Sequence, residues 1–247
     1  MAAAGRILAR CLTMLRQKTR AGVTTGELDN AAERFIRSQG AEPAFKGYRG
    51  FPGSICASPN SMVVHGIPGS YKLSRGDILS IDVGVIFEGW VADAAITVPV
   101  GNVTPIARRL LATTRAALFD AVEQCRAGNT LGDIGHSVQQ RVEADGLAVV
   151  RQLVGHGIGR DMYEDPQIPN YGEAGRGERL EEGMVLAVEP MVTAGSHPIR
   201  VASDNWSVYS QDGSLAAHFE HTVAVTADGP RILTPWHQFE QGATAAA

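Results

Sequence analysis

Apolar residues recur at helical spacing in four segments of the chain, which follow one another as two pairs. The first segment begins near the amino terminus, and the second begins at Thr24, where Glu27 completes a capping box. The third begins at Thr104, with Pro105 in the first helical turn, and the fourth begins at Thr130. Three of these segments run to a glycine: Gly40, Gly128 and Gly146. The pattern therefore predicts two helix pairs.

Apolar runs typical of strands follow each predicted helix pair. After the first pair, Ile78–Val85 and Val91–Val98 flank a short turn that contains glycine, which predicts a β-hairpin. After the second pair, the strand candidates are Leu147–Val154, Met184–Val192 and His218–Val225. The repeated plan favours an α+β fold in which helix pairs pack on curved sheets around a central site. We expect one domain over residues 1–247, with halves at about 1–103 and 104–240 and a frayed tail at 241–247.

Two aspartates occupy equivalent positions around the predicted hairpin. Folding the chain about a centre between Phe87 and Glu88 places Asp82 and Asp93 opposite each other, with Cβ atoms about 4.5–5.5 Å apart. Two like charges that face each other on a sheet are destabilising, and the shared face carries no cationic side chain. A cation between the carboxylates would remove this repulsion. The structural alternatives are aspartates exposed to solvent, or one aspartate paired with a distant arginine.

Composition and charge limit the class of protein. A hydrophobic content of 44% and a charged content of 19% are typical of an ordinary globular protein, and a net charge of −4 argues against general nucleic-acid binding. Three widely spaced cysteines fit a reducing compartment. Arginines interrupt the first apolar segment, which predicts neither a signal peptide nor a membrane span. We therefore expect a cytoplasmic protein.

Three further segments place side chains that bind metals on or beside predicted strands. His156 lies among glycines at the end of a strand, Glu189 ends an apolar strand just before a proline, and Glu220 lies in mid-strand. Taken alone, each residue has a structural alternative, namely a hydrogen-bonded histidine or a solvated glutamate. Burying both glutamates together with Asp82 and Asp93 without cations would be very costly.

The five side chains together predict a two-metal hydrolase site. Four carboxylates balance the charge of two divalent cations. Oxygen ligands with one imidazole nitrogen suit Mn, Fe, Co, Zn or Mg better than copper or an iron–sulfur cluster.

Six short motifs carry a resemblance to a known family. The chain resembles the type I methionine aminopeptidases of short, bacterial-like form through Val64-His65-Gly66-Ile67-Pro68, Ser80-Ile81-Asp82-Val83, Val91-Ala92-Asp93, Gly155-His156-Gly157-Ile158-Gly159, Val188-Glu189-Pro190-Met191 and Phe219-Glu220-His221-Thr222. The resemblance covers residues 4–234 approximately. It implies the pita-bread fold, one catalytic domain, and removal of the initiator methionine when the second residue is small. The implied partners are nascent amino termini at the ribosome, and the implied state is a monomer.

The resemblance also implies a role for each ligand. Asp82 would bind one metal ion, Asp93 and Glu220 would bridge both ions, and His156 and Glu189 would complete the shell of the other. The implied cofactors are two divalent ions of Co, Mn, Fe or Zn, which would activate a water. Glu189 would also be the general base.

Further residues are implied to contact the substrate. His65 would hydrogen-bond the scissile amide, with a structural loop histidine as the alternative. An apolar pocket for methionine would be formed by Phe45, Tyr48, Phe51, Cys56, Met162 and Trp206. Sulfur–aromatic contacts of about 0.3–1.5 kcal/mol would favour a thioether there. The same residues could equally be ordinary core, and the loop at His65 would crowd the next substrate residue.

The chain departs from the family at Tyr163, where the family pattern GHGIGxxxH has a second active-site histidine. A tyrosine can donate one hydrogen bond, but its pKa of about 10 rules out cationic assistance. We expect a slower but competent enzyme, with a shifted substrate preference or a deliberately introduced substitution as the alternatives. Two other functions remain as hypotheses: a pita-bread binding protein that has lost activity, and an X-Pro-type peptidase of the same fold.

Overall fold

The computed structural model describes residues 1–239, and within them the chain forms four α-helices and fifteen β-strands. The helices are α1 (Ala2–Lys18), α2 (Thr25–Ser38), α3 (Pro105–Gln124) and α4 (Leu131–Ala144). The strands are β1 (Glu42–Pro43), β2 (Cys56–Pro59), β3 (Met62–Val64), β4 (Ile78–Phe87), β5 (Trp90–Pro99), β6 (Ala148–Val149), β7 (Gly155–Gly157), β8 (Glu164–Ile168), β9 (Val185–Val188), β10 (Met191–Thr193), β11 (Ile199–Val201), β12 (Val208–Ser210), β13 (Ala216–His218), β14 (His221–Thr226) and β15 (Gly229–Ile232). The predicted frayed tail, 241–247, lies outside the described residues.

The predicted helix pairs are confirmed, and local capping explains where the helices begin. The Thr24 hydroxyl accepts a hydrogen bond from the Glu27 amide at 3.2 Å, and the Glu27 carboxylate accepts one from the Thr24 amide at 2.7 Å. Pro105 opens α3. The expected end of α3 at Gly128 is too late, because this helix stops at Gln124.

Each helix pair packs against its own set of strands. Helix α1 lies on α2 and on the hairpin of β4 and β5, and β4 also pairs with β1 and β2. Helix α3 lies on α4 and contacts β9, β10, β13 and β15. The strands of the second half form a five-stranded sheet, in the order β15-β14-β9-β7-β8, and a three-stranded sheet, β13-β10-β6. A further sheet joins the halves, because β3 pairs with β12 and β12 with β11.

The hairpin has a tighter turn than expected, and this changes its register. Glu88 and Gly89 form a two-residue turn with positive φ at both positions, 52° and 72°, which is the conformation of a type I′ turn. Asp82 therefore pairs with Ala95, and Asp93 pairs with Gly84. The prediction that the two aspartates lie directly opposite each other is wrong. They are diagonal neighbours, but they still share one face because side chains alternate along a strand.

Two of the predicted strands are interrupted at their glutamates. Strand β9 ends just before Glu189, and β10 begins after Pro190. Likewise, β13 ends before Phe219-Glu220, and β14 begins directly after them. The prediction that Glu220 lies in mid-strand is therefore wrong. Strands β9 and β14 pair in the five-stranded sheet, whereas β10 and β13 pair in the three-stranded sheet. Both glutamates thus lie where the chain passes from one sheet to the other.

The third strand prediction, Leu147–Val154, is only partly confirmed. Within it only Ala148–Val149 forms a strand, β6, which pairs with β10. The next strand, β7, begins at Gly155 and belongs to the five-stranded sheet. The chain therefore changes sheets here as well, just before His156.

A seam of hydrogen bonds joins β5 to the segment that contains the second glutamate. The Thr222 hydroxyl accepts from the Asp93 amide at 3.0 Å and donates to the Asp93 carbonyl at 2.7 Å. The Thr97 hydroxyl makes the same two contacts with the backbone of His218, at 2.9 and 2.7 Å. Between them, the Glu220 amide donates to the Ala95 carbonyl at 2.9 Å. We call these contacts the β5 seam. They fix two predicted ligands, one from each half, against each other.

A continuous hydrophobic core lies between the helices and the sheets. It contains Leu8 and Leu12 of α1, Ile81 and Val83 of β4, and Leu118 of α3, all fully buried. None of the helices within residues 1–239 is both long enough and apolar enough to cross a lipid bilayer.

Candidate metal centre and substrate cleft

The five side chains predicted to bind metal come from three strands and two junctions between strands, and they lie together. Asp93, His156 and Glu220 each place a donor atom within 4.8 Å of the other two. The Nε2 atom of His156 lies 3.6 Å from Oε1 of Glu189. Asp82 is on the same face of the hairpin as Asp93. We call these five residues the carboxylate cluster. Their assignment as metal ligands stays a prediction.

The carboxylate cluster is buried, and several of its oxygens lack partners. Asp82, Asp93 and Glu220 are 8%, 4% and 1% exposed. One oxygen of each of these three side chains has no hydrogen-bond partner within the described residues. A buried carboxylate oxygen without a donor is costly, whereas a divalent cation would satisfy it. Four carboxylates with one imidazole nitrogen form the donor set that such cations prefer, so these residues fit the metal ions that the sequence predicts.

The pKa values of the four carboxyl groups in the cluster are consistent with a site that binds cations. Burial raises the pKa of Asp82 to about 6 and that of Glu189 to about 7, against the opposing effects of His218 and His156 respectively. Burial and the neighbouring carboxylates raise the pKa values of Asp93 and Glu220 well above their usual range. Without cations, the protein can therefore lower the cost of burying these groups only by retaining protons.

Glycines on both sides of His156 let its strand pass between neighbours. A Cβ atom at Gly155 would overlap the Ala187 carbonyl of β9, and one at Gly157 would overlap the Asp165 carbonyl of β8. The Nδ1 atom of His156 lies 2.8 Å from the Gly157 carbonyl, which can only accept a hydrogen bond. Nδ1 therefore carries the proton, and Nε2 faces the carboxylates as a free donor of electrons.

A cleft of about 800 Å³ opens above the cluster. Asp82, His156 and Glu189 reach its wall, and so does His65. His65 has a positive φ of 59°, an uncommon conformation for a residue with a side chain. Burial, together with the neighbouring His218, lowers the pKa of His65 to about 4, so its ring is neutral at pH 7.

The residues predicted to form the substrate pocket belong to one apolar cluster, separate from the main core. The apolar cluster contains, fully or at its edge, Phe45, Tyr48, Phe51, Cys56, Met162 and Trp206. The rings of Phe51 and Trp206 meet edge to face, with centroids 5.1 Å apart. All of these residues line the cleft except Met162, which packs behind the wall. There the methyl groups of Met162 and Ala44 lie so close to Gly84 that a Cβ at Gly84 would meet both.

Tyr163 lies on the wall of the cleft and is 47% exposed. Its ring centroid is 4.5 Å from that of His156 and 5.7 Å from that of Tyr48. Burial and the nearby carboxylates, foremost Asp93, raise the pKa of its hydroxyl. The hydroxyl therefore remains protonated at neutral pH and can donate one hydrogen bond.

Sequence reasoning overlooked one buried histidine beside the cluster. His218 is 2% exposed, and its Nε2 atom lies 3.5 Å from Glu189 and 3.9 Å from Glu220. The signal for it was its position two residues before Glu220, the spacing of side chains that share one face of a strand. The threonines of the β5 seam, Thr97 and Thr222, were overlooked as well.

Comparison with known families defines the class of the protein. Residues 1–227 match the model of metallopeptidase family M24, and the chain belongs to this family of metal-dependent peptidases. The buried cluster of Asp93, His156 and Glu220 is consistent with the divalent metal ions that such peptidases use.

Within that family the chain groups with the methionine aminopeptidases. It is 51% identical to the methionine aminopeptidase of Clostridium perfringens, over 95% of this chain and 94% of that protein. The crystal structure of the methionine aminopeptidase from Rickettsia prowazekii matches with a TM-score of 0.93 and 43% identity, covering 94% of each chain. The predicted resemblance and the predicted pita-bread fold are confirmed. An Xaa-Pro dipeptidase from Bacillus anthracis shares the fold alone, with a TM-score of 0.75 at 22% identity.

Proposed function

We propose that the protein is a metalloexopeptidase that removes the amino-terminal methionine from nascent polypeptides when the second residue is small. The observation that carries this proposal is the carboxylate cluster, in which three buried carboxylate oxygens lack partners among residues 1–239, beside an apolar, aromatic-walled cleft. The methionine aminopeptidases to which the chain is similar support the same activity.

Two divalent ions of Co, Mn, Fe or Zn would be held by Asp82, Asp93, His156, Glu189 and Glu220. When bound, such ions act as Lewis acids that polarise the substrate carbonyl and acidify a water molecule. The chain itself supplies the proton transfer. Glu189 reaches the cleft wall and, as general base, takes a proton from the attacking water as its oxygen bonds to the carbonyl carbon. It then gives that proton to the amine as the C–N bond breaks.

His65 and Tyr163 orient the peptide bond that is cut. The neutral ring of His65 donates a hydrogen bond to the scissile amide from the wall of the cleft. The protonated hydroxyl of Tyr163 donates to the substrate carbonyl region from beside His156. Both donors are uncharged, so they stabilise developing negative charge through dipoles alone.

The methionine side chain is bound by the apolar cluster. Phe45, Tyr48, Phe51, Cys56 and Trp206 contact it from the cleft wall, and Met162 supports that wall from behind. Aromatic rings around a thioether add about 0.3–1.5 kcal/mol for each favourable sulfur contact. The loop at His65 crowds the position of the next substrate residue, which limits that residue to a small side chain.

In the cell, the protein acts as a single catalytic domain and a monomer, in the cytoplasm, on amino termini that emerge from the ribosome. Its net charge of −4 supports a polypeptide rather than a nucleic acid as the substrate.

The proposal is tested with three peptides that separate the competing functions. Protein loaded with Co²⁺ or Mn²⁺ is incubated with Met-Ala-Ser, Met-Lys-Ser and Ala-Pro-Ala, and released amino acids are quantified. We expect free methionine from Met-Ala-Ser alone, and none after treatment with a chelator or in Asp93→Asn, which removes one carboxylate of the cluster. Cleavage of Ala-Pro-Ala would instead indicate an X-Pro peptidase. Ion binding without release from any peptide would indicate a binding protein.

A further inference from the structure

His218 is a buried imidazole between two predicted ligands, Glu189 and Glu220, and is not itself a member of the carboxylate cluster. The side chain is 2% exposed, and neither Nδ1 nor Nε2 has a hydrogen-bond partner within the described residues. Nε2 lies 3.5 Å from Oε2 of Glu189 and 3.9 Å from Oε2 of Glu220. A buried polar ring with no partner is costly, so its position beside two carboxylates calls for a function.

The backbone holds this ring in place from several directions. His218 is the last residue of β13 and pairs with Met191 of β10. The Thr97 hydroxyl bonds both its amide and its carbonyl, and that hydroxyl also lies 2.8 Å from the hydroxyl of Ser80. The two glutamates beside the ring lie at two of the points where the chain passes between sheets. One imidazole therefore lies beside both of these junctions.

The ring lies on the outer side of the carboxylates. In Glu220 the oxygen without a partner is Oε1, whereas His218 approaches Oε2. The donor atoms that converge within 4.8 Å come from Asp93, His156 and Glu220, and His218 is not among them. A ring nitrogen that faces two ionised carboxylates carries the hydrogen, so metal ions that keep Glu189 and Glu220 ionised favour the tautomer with the proton on Nε2.

We propose that His218 is a positioning residue: its Nε2–H group faces the outer oxygens of Glu189 and Glu220, donates to them when they are ionised around bound metal ions, and so turns their inner oxygens towards those ions. The other oxygen of Glu189 lies 3.6 Å from the unprotonated Nε2 of His156, so both atoms remain available to the metal ions. Groups that orient metal-binding carboxylates in this way typically change metal affinity by about 10–100-fold when they are removed. The inference rests on the metal centre of the proposed function.

Two substitutions separate donation by His218 from mere filling of space. His218→Leu replaces the imidazole with an apolar side chain of similar reach and so removes the hydrogen-bond donor. We expect metal-free protein with this change to bind Co²⁺ about 10–100-fold more weakly in calorimetric titrations. His218→Gln places an amide N–H near the position of Nε2, and we expect it to restore most of the affinity. The matched controls are His136→Leu and His136→Gln on α4, because His136 does not line the cleft and contacts Gly172 instead.

A spectroscopic measurement tests the tautomer directly and needs no folded variant. In protein labelled with ¹⁵N-histidine and loaded with Zn²⁺, we expect His218 to carry its proton on Nε2, with Nδ1 unprotonated and neither nitrogen shifted as a metal ligand. His156 should show the zinc-bound shift at Nε2. An unprotonated, zinc-shifted Nε2 at His218 would make it a ligand and overturn the proposal.

The remaining outcomes are equally decisive. Affinity that is unchanged in His218→Leu, or lost equally in the leucine and glutamine variants, would show that no donated hydrogen bond is needed. If wild-type protein binds no divalent ion, the metal centre itself is wrong. If wild-type protein binds ions and releases methionine while His218→Leu matches it in affinity, only the role of His218 fails.

Discussion

Tyr163 packs against a neighbouring ring and is also exposed to the cleft. Its ring packs at an angle of 58° against that of a predicted metal ligand, His156, with centroids 4.5 Å apart, yet Tyr163 is 47% exposed. Packing and hydrogen bonding therefore come from different parts of the same residue. The ring contacts His156, and in the proposed function the hydroxyl donates to the substrate.

This division gives a prediction for Tyr163→Phe, which keeps the ring and removes the hydroxyl. We expect kcat for Met-Ala-Ser to fall by about 100-fold, the usual effect of losing one donor to a developing oxyanion, with metal content unchanged. Steady-state kinetics and metal analysis check the two parts. Tyr163→His should be more active than the parent, because an imidazole can also assist as a cation. A phenylalanine variant as active as the parent would show that the hydroxyl does not contact the transition state.

At the scale of single residues, the sequence identified the candidate metal ligands more readily than the residues that contact them. The cluster residues stand out because carboxylates rarely interrupt apolar strands. His218 did not stand out, because a histidine in an apolar run is usually a satisfied core residue. Only its distances to Glu189 and Glu220, 3.5 and 3.9 Å, distinguish it, and those depend on contacts between sheets.

Among the structural elements, β5 has an unusual second partner. One edge pairs with β4 in a regular ladder. Its other edge meets the junction between β13 and β14 through the β5 seam, where threonine hydroxyls replace part of the backbone ladder. Thr97 and Thr222 each form hydrogen bonds with an amide and a carbonyl of the opposite segment, so the backbone groups at both ends of the seam have partners.

Removal of one hydroxyl from the seam should destabilise the protein. Thr97→Val keeps the shape of the side chain but leaves the buried amide and carbonyl of His218 without their partner. We expect the free energy of unfolding to fall by about 1–3 kcal/mol, the usual cost of an unsatisfied buried polar group. Urea denaturation measures this change. Thr97→Ser, which keeps the hydroxyl, should lose clearly less, and equal losses in the two variants would assign the effect to the methyl group instead.

The starts of helices were easier to predict than strand registers, for a physical reason. Capping residues such as Thr24 act on the nearest turn, so the local sequence is sufficient. The hairpin register depends on the length of the turn, and an error of one residue at Glu88-Gly89 moved every cross-strand pair. The break at Glu220 depends on its bond to Ala95, a residue more than a hundred positions away. Nothing in the local pattern indicates that contact.

The whole molecule carries an electrostatic cost at its centre. The carboxylate cluster lies beneath the cleft, between strands of both halves, and its pKa values are raised by burial. Because the carboxyl groups of an unfolded chain titrate near pH 4, the folded, metal-free protein holds extra protons above that pH. Stability must therefore depend on both pH and metal ions.

The direction of this dependence follows from linkage. Between about pH 4 and pH 7 the folded state binds more protons than the unfolded state, since the pKa values of Asp82 and Glu189 are raised to about 6 and 7. The free energy of unfolding of metal-free protein should fall as pH rises through this window. Each such carboxyl contributes about 1.4 kcal/mol per pH unit while only the folded state is protonated.

Divalent ions should reverse the trend, because they bind the deprotonated carboxylates. Urea unfolding at pH 5 and pH 7.5, with a chelator or with Co²⁺, measures both effects. We expect Co²⁺ to stabilise strongly at pH 7.5 and little at pH 5. Metal-free protein that is equally stable at both pH values would contradict the raised pKa values, and Glu189→Gln should make its pH dependence shallower.

The β5 seam has a consequence for when activity can first arise during synthesis. The amino-terminal half holds only Asp82 and Asp93 of the cluster, and the other three members are made later, with Glu220 last. The backbone of Glu220 finds its place only by docking onto a strand translated more than a hundred residues earlier. A chain that is partly synthesised, or truncated before Glu220, therefore lacks part of the carboxylate cluster. Hydrolysis becomes possible only after β5 has docked onto the segment that contains Glu220, so activity itself reports that the two halves have folded together.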